Sequence, residues 1–343
     1  MSLRFGFLGA GGIASRVASA FPFASSARIV AVGSRDLGRA RAFAAREGVS
    51  RAYGSYEELV ADPQVDVVYI ATPNAFHFEH ARLALEAEKH ALVEKPFTVN
   101  AEEARTLVAL ARSKGLFLME AMWTRFFPAT REVRRWISEG AIGSVRLVEA
   151  CFGFRASAEE LPPLLSKDLA VGSLLDVGVY PISLAHMAFG CAPARVSGFA
   201  ELSSNGVDQH AAFVLGFDGG GLALGSSAVT HDTPHDSWVC GTEGRIHLDA
   251  PFWSPSRVTL VRPGATELVF DRLSRGNGFE HELEAVAAAI REGKTEHPEL
   301  PLDESIEIMQ TLDRLRAHLG IEFPADRPAP ARLAVVEPPR TSG

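Results

Sequence analysis

Cysteine is scarce in this chain. Its 343 residues include three cysteines, Cys151, Cys191 and Cys240, which lie far apart and form no C-x-x-C pair. An odd number of widely spaced cysteines argues against a disulfide framework. The sequence also lacks an apolar run long enough to cross a bilayer, and it enters its first predicted strand without a signal-peptide pattern. We therefore expect reduced thiols in a cytoplasmic protein that has no membrane partner.

Positive charge is in short supply as well. Lys and Arg number 34 against 42 Asp and Glu, which gives a formal net charge of −8. Nucleic acids and anionic membranes attract basic faces, so this balance argues against both as partners. Apolar residue types make up 47% of the chain, which is ample for packed cores, and the length is typical of about two domains.

The first domain is predicted around the start of the chain. Residues 4–8 form an apolar run typical of a buried parallel strand, and Gly9, Gly11 and Ala14 follow with G-x-G-x-x-A spacing. The first glycine permits a tight turn, the second lets backbone approach a pyrophosphate, and the small third residue lets a helix pack closely. Backbone N–H groups at the helix start, near Gly12 and Ile13, would then bind the phosphates. The pattern predicts a doubly wound Rossmann domain that binds a dinucleotide.

The end of the second predicted strand, residues 29–33, bears on the choice of cofactor. An acidic residue there would bind the ribose 2′-hydroxyl of NAD, whereas a basic residue beside a hydroxyl suits the 2′-phosphate of NADP. Ser34 and Arg35 follow this strand, and Arg39 lies one helical turn later. Asp36 keeps NAD possible unless it serves as the helix N-cap. The sequence thus favours NADP.

Two further strand ends carry polar side chains. Predicted strands at 65–71 and 90–93 are followed by Thr-Pro-Asn and Glu-Lys-Pro, and ligands bind at the carboxyl ends of parallel strands. No cysteine or carboxylate cluster completes a metal site around the histidines of the next helix, so no metal is predicted. The residues that we place beside the cofactor on these grounds are Thr72, Asn74, His77, Glu94 and Lys95.

The second half of the sequence has a different pattern. Eight short β-rich runs between residues 145 and 270, with turns between them, predict a mostly antiparallel sheet. Helical segments at 172–189, 280–291 and 303–319 are expected to cover one side of this sheet and leave the other face open. We predict a Rossmann domain over 1–122, an α+β substrate and dimerisation domain over 123–320, and a proline-rich arm or tail over 321–343. The aromatic pairs at 126–127 and 252–253 are expected in the core or at an interface.

Several short motifs, taken in order, resemble the Gfo/Idh/MocA oxidoreductase family. They are GAGGIA at 9–14, SR at 34–35, ATPN at 71–74 and EKP at 94–96. The stretches MEAMWTRFFP at 119–128 and SLLDVGVYP at 173–181 are similar to the branch with dimeric dihydrodiol dehydrogenases and NADP-dependent aldose (D-xylose) dehydrogenases. The resemblance implies that Lys95 is catalytic. Many family members have D-x-G-x-H where this chain has Asp176 to Tyr180, and tyrosine at the last position matches the same branch.

The chemistry expected of such a site assigns a role to each candidate. Tyr180 would be the general acid/base, and the ammonium of Lys95 would favour its phenolate. Asp176 would orient Lys95 or bind a substrate hydroxyl. Trp123, just after a fifth predicted strand at 116–120, would form a wall of the substrate pocket or pack between the domains, and Arg125 is a candidate for cofactor or substrate contact.

The function expected from these residues is hydride transfer between NADP and a vicinal diol or sugar. The alternatives are an NAD-dependent glycosidase of the same fold and a dinucleotide-sensing regulator without catalysis. A sensor needs no proton donor, so the pair of Lys95 and Tyr180 argues against the last of these. The open face of the second sheet, together with the resemblance, predicts a homodimer.

Overall fold

The first part of the chain folds around six parallel strands. The computed structural model describes residues 2–327. The strands are β1 (Leu3–Leu8), β2 (Ala27–Gly33), β3 (Arg51–Tyr53), β4 (Val67–Ile70), β5 (His90–Glu94) and β6 (Leu118–Ala121). Their order is β3-β2-β1-β4-β5-β6, and every pair is parallel. This is the Rossmann order, in which the reversal between β1 and β4 opens a crevice at the carboxyl ends of the strands. The predicted doubly wound sheet is confirmed.

Helices connect these strands, and their ends follow ordinary capping chemistry. They are α1 (Gly12–Ala18), α2 (Leu37–Glu47), α3 (Tyr56–Val60), α4 (His77–Glu86) and α5 (Ala101–Lys114). The side chains of Asp36, Ser55 and Asn100 accept hydrogen bonds from the first turns of α2, α3 and α5. Helices α2 and α5 end at Gly48 and Gly115 in the left-handed conformation. Side-chain caps at their starts and glycines at their ends therefore fix both ends of α2 and α5.

The second part of the chain contains an eight-stranded sheet. Its strands are β7 (Val145–Gly153), β8 (Arg195–Leu202), β9 (Asp208–Gly216), β10 (Leu222–Ala228), β11 (Ser237–Gly241), β12 (Arg245–Leu248), β13 (Arg257–Val261) and β14 (Leu268–Asp271). Their order is β14-β13-β12-β11-β7-β10-β9-β8, and every neighbouring pair is antiparallel except β7 with β10. The predicted mostly antiparallel sheet is confirmed.

Helices and an apolar surface occupy the two sides of this sheet. The helices of the second part are α6 (Pro128–Ser138), α7 (Leu161–Leu164), α8 (Val179–Phe189), α9 (Phe279–Arg291) and α10 (Leu302–Leu319). Burial alternates along β8, and Phe199 on its outer face is 87% exposed. Val214 and Leu224 are also exposed and pair across β9 and β10. The helices thus cover one side, and the other carries exposed apolar side chains.

A short π-helical turn, Leu174–Gly178, leads directly into α8. Asp208 at the start of β9 holds this turn in place, since its carboxylate accepts hydrogen bonds from Ser173 Oγ at 2.7 Å and from the Leu174 backbone at 2.6 Å. Pro181 lies in the first turn of α8, where a missing N–H group is tolerated. The turn and the helix together place Asp176 and Tyr180 near each other.

The described chain remains packed up to its last residues. Ile321 and Phe323 are buried, and the guanidinium of Arg316 pairs with Asp326 at 2.5 Å. Residues 321–327 therefore belong to the folded domain rather than to an extended tail, and the rest of the predicted arm or tail, 328–343, lies outside the described residues. Across residues 2–327, no helix has both the length and the apolar character needed to span a membrane.

Candidate active site

A cavity of about 500 Å³ lies at the carboxyl edge of the parallel sheet, where the second domain meets it. We call it the central cavity. From the first domain it is lined by Ile13, Arg16, Thr72, Asn74, His77, Glu94 and Lys95. From the rest of the chain it is lined by Trp123, Phe152, Phe154, Asp176, Val177, Tyr180, Trp253 and Phe279. The structure thus brings the predicted residues Lys95, Asp176, Tyr180 and Trp123 to one place.

The glycine-rich turn beside this cavity has room for a phosphate. Gly9 has a φ of +108°, and a Cβ there would lie 2.6 Å from the carbonyl oxygen of Ala71, so only glycine fits. A Cβ on Gly11 or Gly12 would meet no described atom within 4 Å. Helix α1 starts at Gly12 with no side-chain cap and no acidic residue in its first turn among the described residues. The free N–H groups of the helix start therefore face open space that an anion can fill.

Two arginines, Arg35 and Arg39, follow β2, and the one carboxylate between them, Asp36, caps the next helix. Asp36 accepts hydrogen bonds from the backbone of Gly38 at 2.7 Å and of Arg39 at 3.2 Å, so it is the N-cap of α2. The guanidinium of Arg35 lies over the ring of Phe76, 5.7 Å from its centroid, and the side chains of Arg35 and Arg39 are exposed. Ser34 is buried at the strand end. This arrangement suits a phosphate better than a ribose hydroxyl.

His77 joins the ends of β4 and β5. Its ring nitrogens lie 2.8 Å from the carbonyl oxygens of Thr72 and Pro96, and burial holds its pKa at about 4. Both nitrogens face backbone carbonyls, and the neutral ring can donate to one of them, which leaves His77 poorly suited to exchange a proton with substrate. Thr72 bonds His80 Nδ1 through its hydroxyl at 2.9 Å, and the Asn74 amide donates to the carbonyl of Ala170 at 2.9 Å.

Glu94, at the end of β5, is a buried residue of the cavity lining. Its carboxylate accepts the hydroxyl hydrogen of Tyr69 and, at 3.2 Å, the backbone N–H of Lys95. Burial raises the pKa of this carboxyl, and the hydrogen bond from Tyr69 and the charge of Lys95 oppose the rise. Glu94 thus supports the strand end that carries Lys95.

Lys95 and Asp176 form a close ion pair. The Lys95 Nζ atom lies 2.7 Å from Asp176 Oδ1 and 2.6 Å from the carbonyl oxygen of the same residue. Burial lowers the pKa of Lys95, but the Asp176 carboxylate and Tyr180 raise it, and the net result is a raised pKa. The lysine therefore stays charged. Its Nζ atom lies 5.4 Å from the centroid of the Tyr180 ring.

Tyr180 is 6% exposed, and its hydroxyl oxygen accepts a hydrogen bond from Trp123 Nε1 at 3.0 Å. Burial raises the pKa of Tyr180 to about 12, and Glu94 and Asp176 add to the rise. The charge of Lys95 and the Trp123 hydrogen bond act in the opposite direction. In this state of the protein the phenol is protonated at neutral pH.

Two stacked aromatic pairs flank the tyrosine. Phe152 and Trp253 stack at 3.5 Å between centroids with their planes 2° apart, and Tyr180 lies 5.3 Å from Phe152. Trp123 stacks on Phe279 at 4.1 Å and 12°. Trp253, expected from the sequence in the core or at an interface, packs against the core and also lines the cavity. Sequence reasoning missed Phe152, Trp253 and Phe279, which come from distant segments that share no motif.

Arg125 does not reach the central cavity. It is 1% exposed and donates to Ser183 Oγ at 2.9 Å, to the Ser183 carbonyl at 2.8 Å and to Glu304 at 2.5 Å. The tight turn Trp123–Phe126 directs Trp123 to the cavity and Arg125 toward α8 and α10. The prediction that Arg125 contacts cofactor or substrate is therefore corrected to a buried structural ion pair.

Family models and curated relatives match most of this chain. The family model described as "Oxidoreductase family, NAD-binding Rossmann fold" (GFO_IDH_MocA) matches residues 3–122, and "GFO/IDH/MocA C-terminal domain" matches residues 130–247. Trans-1,2-dihydrobenzene-1,2-diol dehydrogenase of Mus musculus is 37% identical over 337 residues, which cover 95% of this chain and 100% of the relative. The Homo sapiens enzyme is 36% identical over 339 residues, with the same coverage.

Solved structures give a similar result. KijD10, a 3-ketoreductase from Actinomadura kijaniata in complex with NADP and TDP-benzene, has a TM-score of 0.80 and 27% identity. The alignment covers 93% of this chain and 98% of that one. An aldose-aldose oxidoreductase from Caulobacter crescentus has a TM-score of 0.83 at 23% identity, covering 93% of this chain and 97% of that chain, and this match shows the shared fold alone.

Proposed function

The chain belongs to the Gfo/Idh/MocA oxidoreductase family, and we propose that it is an NADP-dependent dehydrogenase acting on a vicinal diol or a sugar. One observation carries the proposal. The hydroxyl of Tyr180 and the ammonium of Lys95 line the same cavity at the carboxyl edge of a Rossmann sheet. An acid/base beside a dinucleotide site is what the interconversion of an alcohol and a carbonyl requires.

The cofactor would lie along the edge already described. The N–H groups at the start of α1 would bind the pyrophosphate, and Arg35, with Ser34 and Arg39, would bind the 2′-phosphate. NADP-bound relatives of the same fold support this choice. When bound, the nicotinamide supplies the two-electron oxidation or reduction of the substrate carbon.

The substrate proposed for the cavity is a ring that carries two adjacent hydroxyl groups. The aromatic pairs of Phe152 with Trp253 and of Trp123 with Phe279 offer flat apolar faces on which such a ring can pack. Tyr180, Lys95 and Asp176 line the same cavity and can form hydrogen bonds with the hydroxyl groups of the substrate. Relatives named as dihydrodiol dehydrogenases support an unsaturated carbocyclic diol, and the 3-ketoreductase supports a sugar.

The division of labour in the site follows from the contacts. In diol oxidation, Tyr180 takes the hydroxyl proton from the substrate, and in the reverse direction it returns that proton to the carbonyl oxygen. Lys95 stabilises the phenolate by its charge. Asp176 holds the ammonium beside the ring through two contacts, so its role is to position Lys95. Lys95 belongs to the first domain, and Asp176 and Tyr180 belong to the second. The reaction therefore depends on how the two domains pack against each other at the site.

A substrate screen tests the proposal. Purified protein is mixed with oxidised NADP and a panel of trans-dihydrodiols and aldoses, and absorbance of the reduced cofactor is followed. We expect turnover with at least one diol or sugar. Absence of reduction across the panel, together with release of the sugar from an aryl glycoside, would instead indicate the glycosidase reaction.

We further propose that the protein forms a homodimer through the open face of the second sheet. Phe199 on β8 pairs with Ala212 on β9, two residues from the exposed pair of Val214 and Leu224. These side chains form an apolar patch on one side of the sheet, and such a patch is typical of an interface. The resemblance to dimeric relatives points to the same surface.

A further inference from the structure

We propose that Trp123 belongs to the acid–base machinery, in which its indole N–H orients Tyr180 and stabilises the charge that forms on the phenol oxygen. The inference rests on the proposed function, since it presumes that Tyr180 exchanges the proton. This role requires the indole N–H of Trp123, whereas forming a pocket wall or packing between the domains would require its ring alone.

The first step is the direction of the hydrogen bond between Trp123 and Tyr180. An indole nitrogen can only donate, so the Tyr180 oxygen must accept the bond from Trp123 Nε1 at 3.0 Å. The phenol hydrogen is consequently left free for another acceptor. Because Tyr180 lines the central cavity, that acceptor is a group in the cavity, where a substrate oxygen would bind. The indole thus selects the orientation of the O–H bond.

The second step concerns charge. The ammonium of Lys95 lies 5.4 Å from the centroid of the tyrosine ring and is bonded to the Asp176 carboxylate at 2.7 Å. The groups that face Tyr180 are this ammonium from the end of β5, Asp176 from the π-helical turn, and Glu94 from β5. The two carboxyl groups offset much of the positive charge of the lysine. The indole N–H acts on the phenol oxygen directly, and it strengthens when that oxygen becomes negative.

The third step concerns rigidity. Trp123 is buried, stacks on Phe279 with the ring centroids 4.1 Å apart, and forms a T-shaped pair with Phe127 whose centroids are 5.2 Å apart. The indole plane is therefore fixed before any substrate arrives. A donor that needs no reorganisation stabilises a developing negative charge more effectively than a mobile one. Trp123 meets the same requirement that backbone amides meet in an oxyanion hole.

The test compares Trp123→Phe with a matched control, Phe279→Leu. The first variant keeps an aromatic ring against Phe279 but removes the N–H donor, and the second loosens the stack but keeps the donor. The protein is labelled with 3-fluorotyrosine, which lowers the ionisation pH of phenols, and its fluorine NMR spectrum is titrated with oxidised NADP bound. The Tyr180 resonance is assigned by its absence from Tyr180→Phe.

We expect Trp123→Phe to raise the ionisation pH of Tyr180 by about one unit, a tenfold change in ionisation. Phe279→Leu should change it much less. An unchanged ionisation pH in Trp123→Phe would overturn the inference. The unsubstituted protein gives a second reading, because the Trp123 indole proton should shift through the same titration as Tyr180. An indole proton that stays unmoved would equally contradict the proposal.

Kinetics separate this inference from the proposed function. If Trp123 only formed a wall of the pocket, Trp123→Phe would change KM equally at every pH. If its N–H stabilises the phenolate, Trp123→Phe should lower kcat, and most strongly below the ionisation pH of Tyr180. Normal turnover in Tyr180→Phe would refute the acid/base assignment even if the NMR shift is found. Strong loss of turnover in Tyr180→Phe with no NMR shift in Trp123→Phe would refute the inference alone.

Discussion

The ammonium nitrogen of Lys95 lies 2.7 Å from Asp176 Oδ1 and 2.6 Å from the carbonyl oxygen of the same residue, although 81 positions separate the two in sequence. Lys95 follows a strand of the first domain, and Asp176 lies in the π-helical turn of the second. The pair therefore joins the domains at the site itself. It also holds the ammonium beside the ring of Tyr180, where its charge acts on the phenol without a direct bond to the oxygen.

The first prediction concerns the proton. Tyr180→Phe keeps the ring and its packing but removes the hydroxyl, so turnover should fall by roughly 10²- to 10⁴-fold while NADP still binds. Steady-state rates and a fluorescence titration of the cofactor measure the two effects. Tyr53→Phe is the control, because its hydroxyl bonds Asp62 away from the cavity. Near-normal turnover in Tyr180→Phe would mean that the proton leaves by another route, such as a chain of waters.

The second prediction concerns pH. Burial raises the pKa of Tyr180 to about 12, and Lys95 opposes that rise. Oxidation needs the phenolate, so its rate should increase with pH and reach a plateau above the pKa of Tyr180. Lys95→Met removes the opposing charge, raises that pKa further and should move the plateau to higher pH. A pH–rate profile checks this, and a plateau that stays in place or moves lower would contradict it.

A double variant extends the same prediction. Lys95 and Tyr180 act as a unit, so the variant with both changes should be little slower than the slower single variant. Independent roles would instead multiply the two losses. Measuring kcat of all four proteins at one pH separates the two cases.

The third prediction concerns cofactor choice. Arg35→Ala removes a cation from the end of β2 and should weaken NADP binding by about 1.5 to 3 kcal/mol through a lost charged hydrogen bond. NAD, which lacks the 2′-phosphate, should be affected far less. Arg41→Ala on α2 is the control, since it also removes an exposed arginine. Equal loss of affinity for both cofactors would argue against a 2′-phosphate site at Arg35.

Short motifs predicted the parts of the fold and site that depend on local sequence. The glycine turn, Lys95 at a strand end and Tyr180 in the first turn of α8 are each marked by adjacent residues. Strand β3, with three residues, is too short to show a period, and it was not predicted. The π-helical turn was not predicted either, because it depends on Asp208, 34 residues from Leu174.

Contacts between distant segments account for the rest. Phe279 and Trp253 reach the cavity from α9 and from the segment after β12, and their sequence surroundings resemble ordinary core. Arg125 has the residue type expected of a ligand contact, but the turn that carries it points its side chain to Ser183 and Glu304. Side-chain direction in an irregular turn is set by tertiary packing, which a pattern of residue types does not encode.

The fourth prediction follows from that correction. Arg125→Met leaves the carboxylate of Glu304 without its buried partner and should lower the free energy of unfolding by about 3 kcal/mol. Denaturant unfolding measures this. Arg105→Met, which breaks an exposed pair with Glu102, should cost less than about 1 kcal/mol. The folded Arg125→Met protein should have the same KM for the substrate as the unsubstituted protein. A large rise in KM without loss of stability would instead indicate that Arg125 contacts the substrate.

The fifth prediction concerns assembly. Phe199 is 87% exposed on β8, an edge strand of the sheet, and in a homodimer through the open face it would be buried in the interface. Phe199→Asp would bury one carboxylate from each chain in that interface, so light scattering at micromolar concentration should give the mass of one chain. Leu273→Asp is the matched control, since Leu273 is 80% exposed but lies beyond β14, outside the patch. The unsubstituted protein should scatter as a dimer and so should Leu273→Asp. A single-chain mass for the unsubstituted protein would refute the dimer, and a dimeric Phe199→Asp would place the interface on another surface.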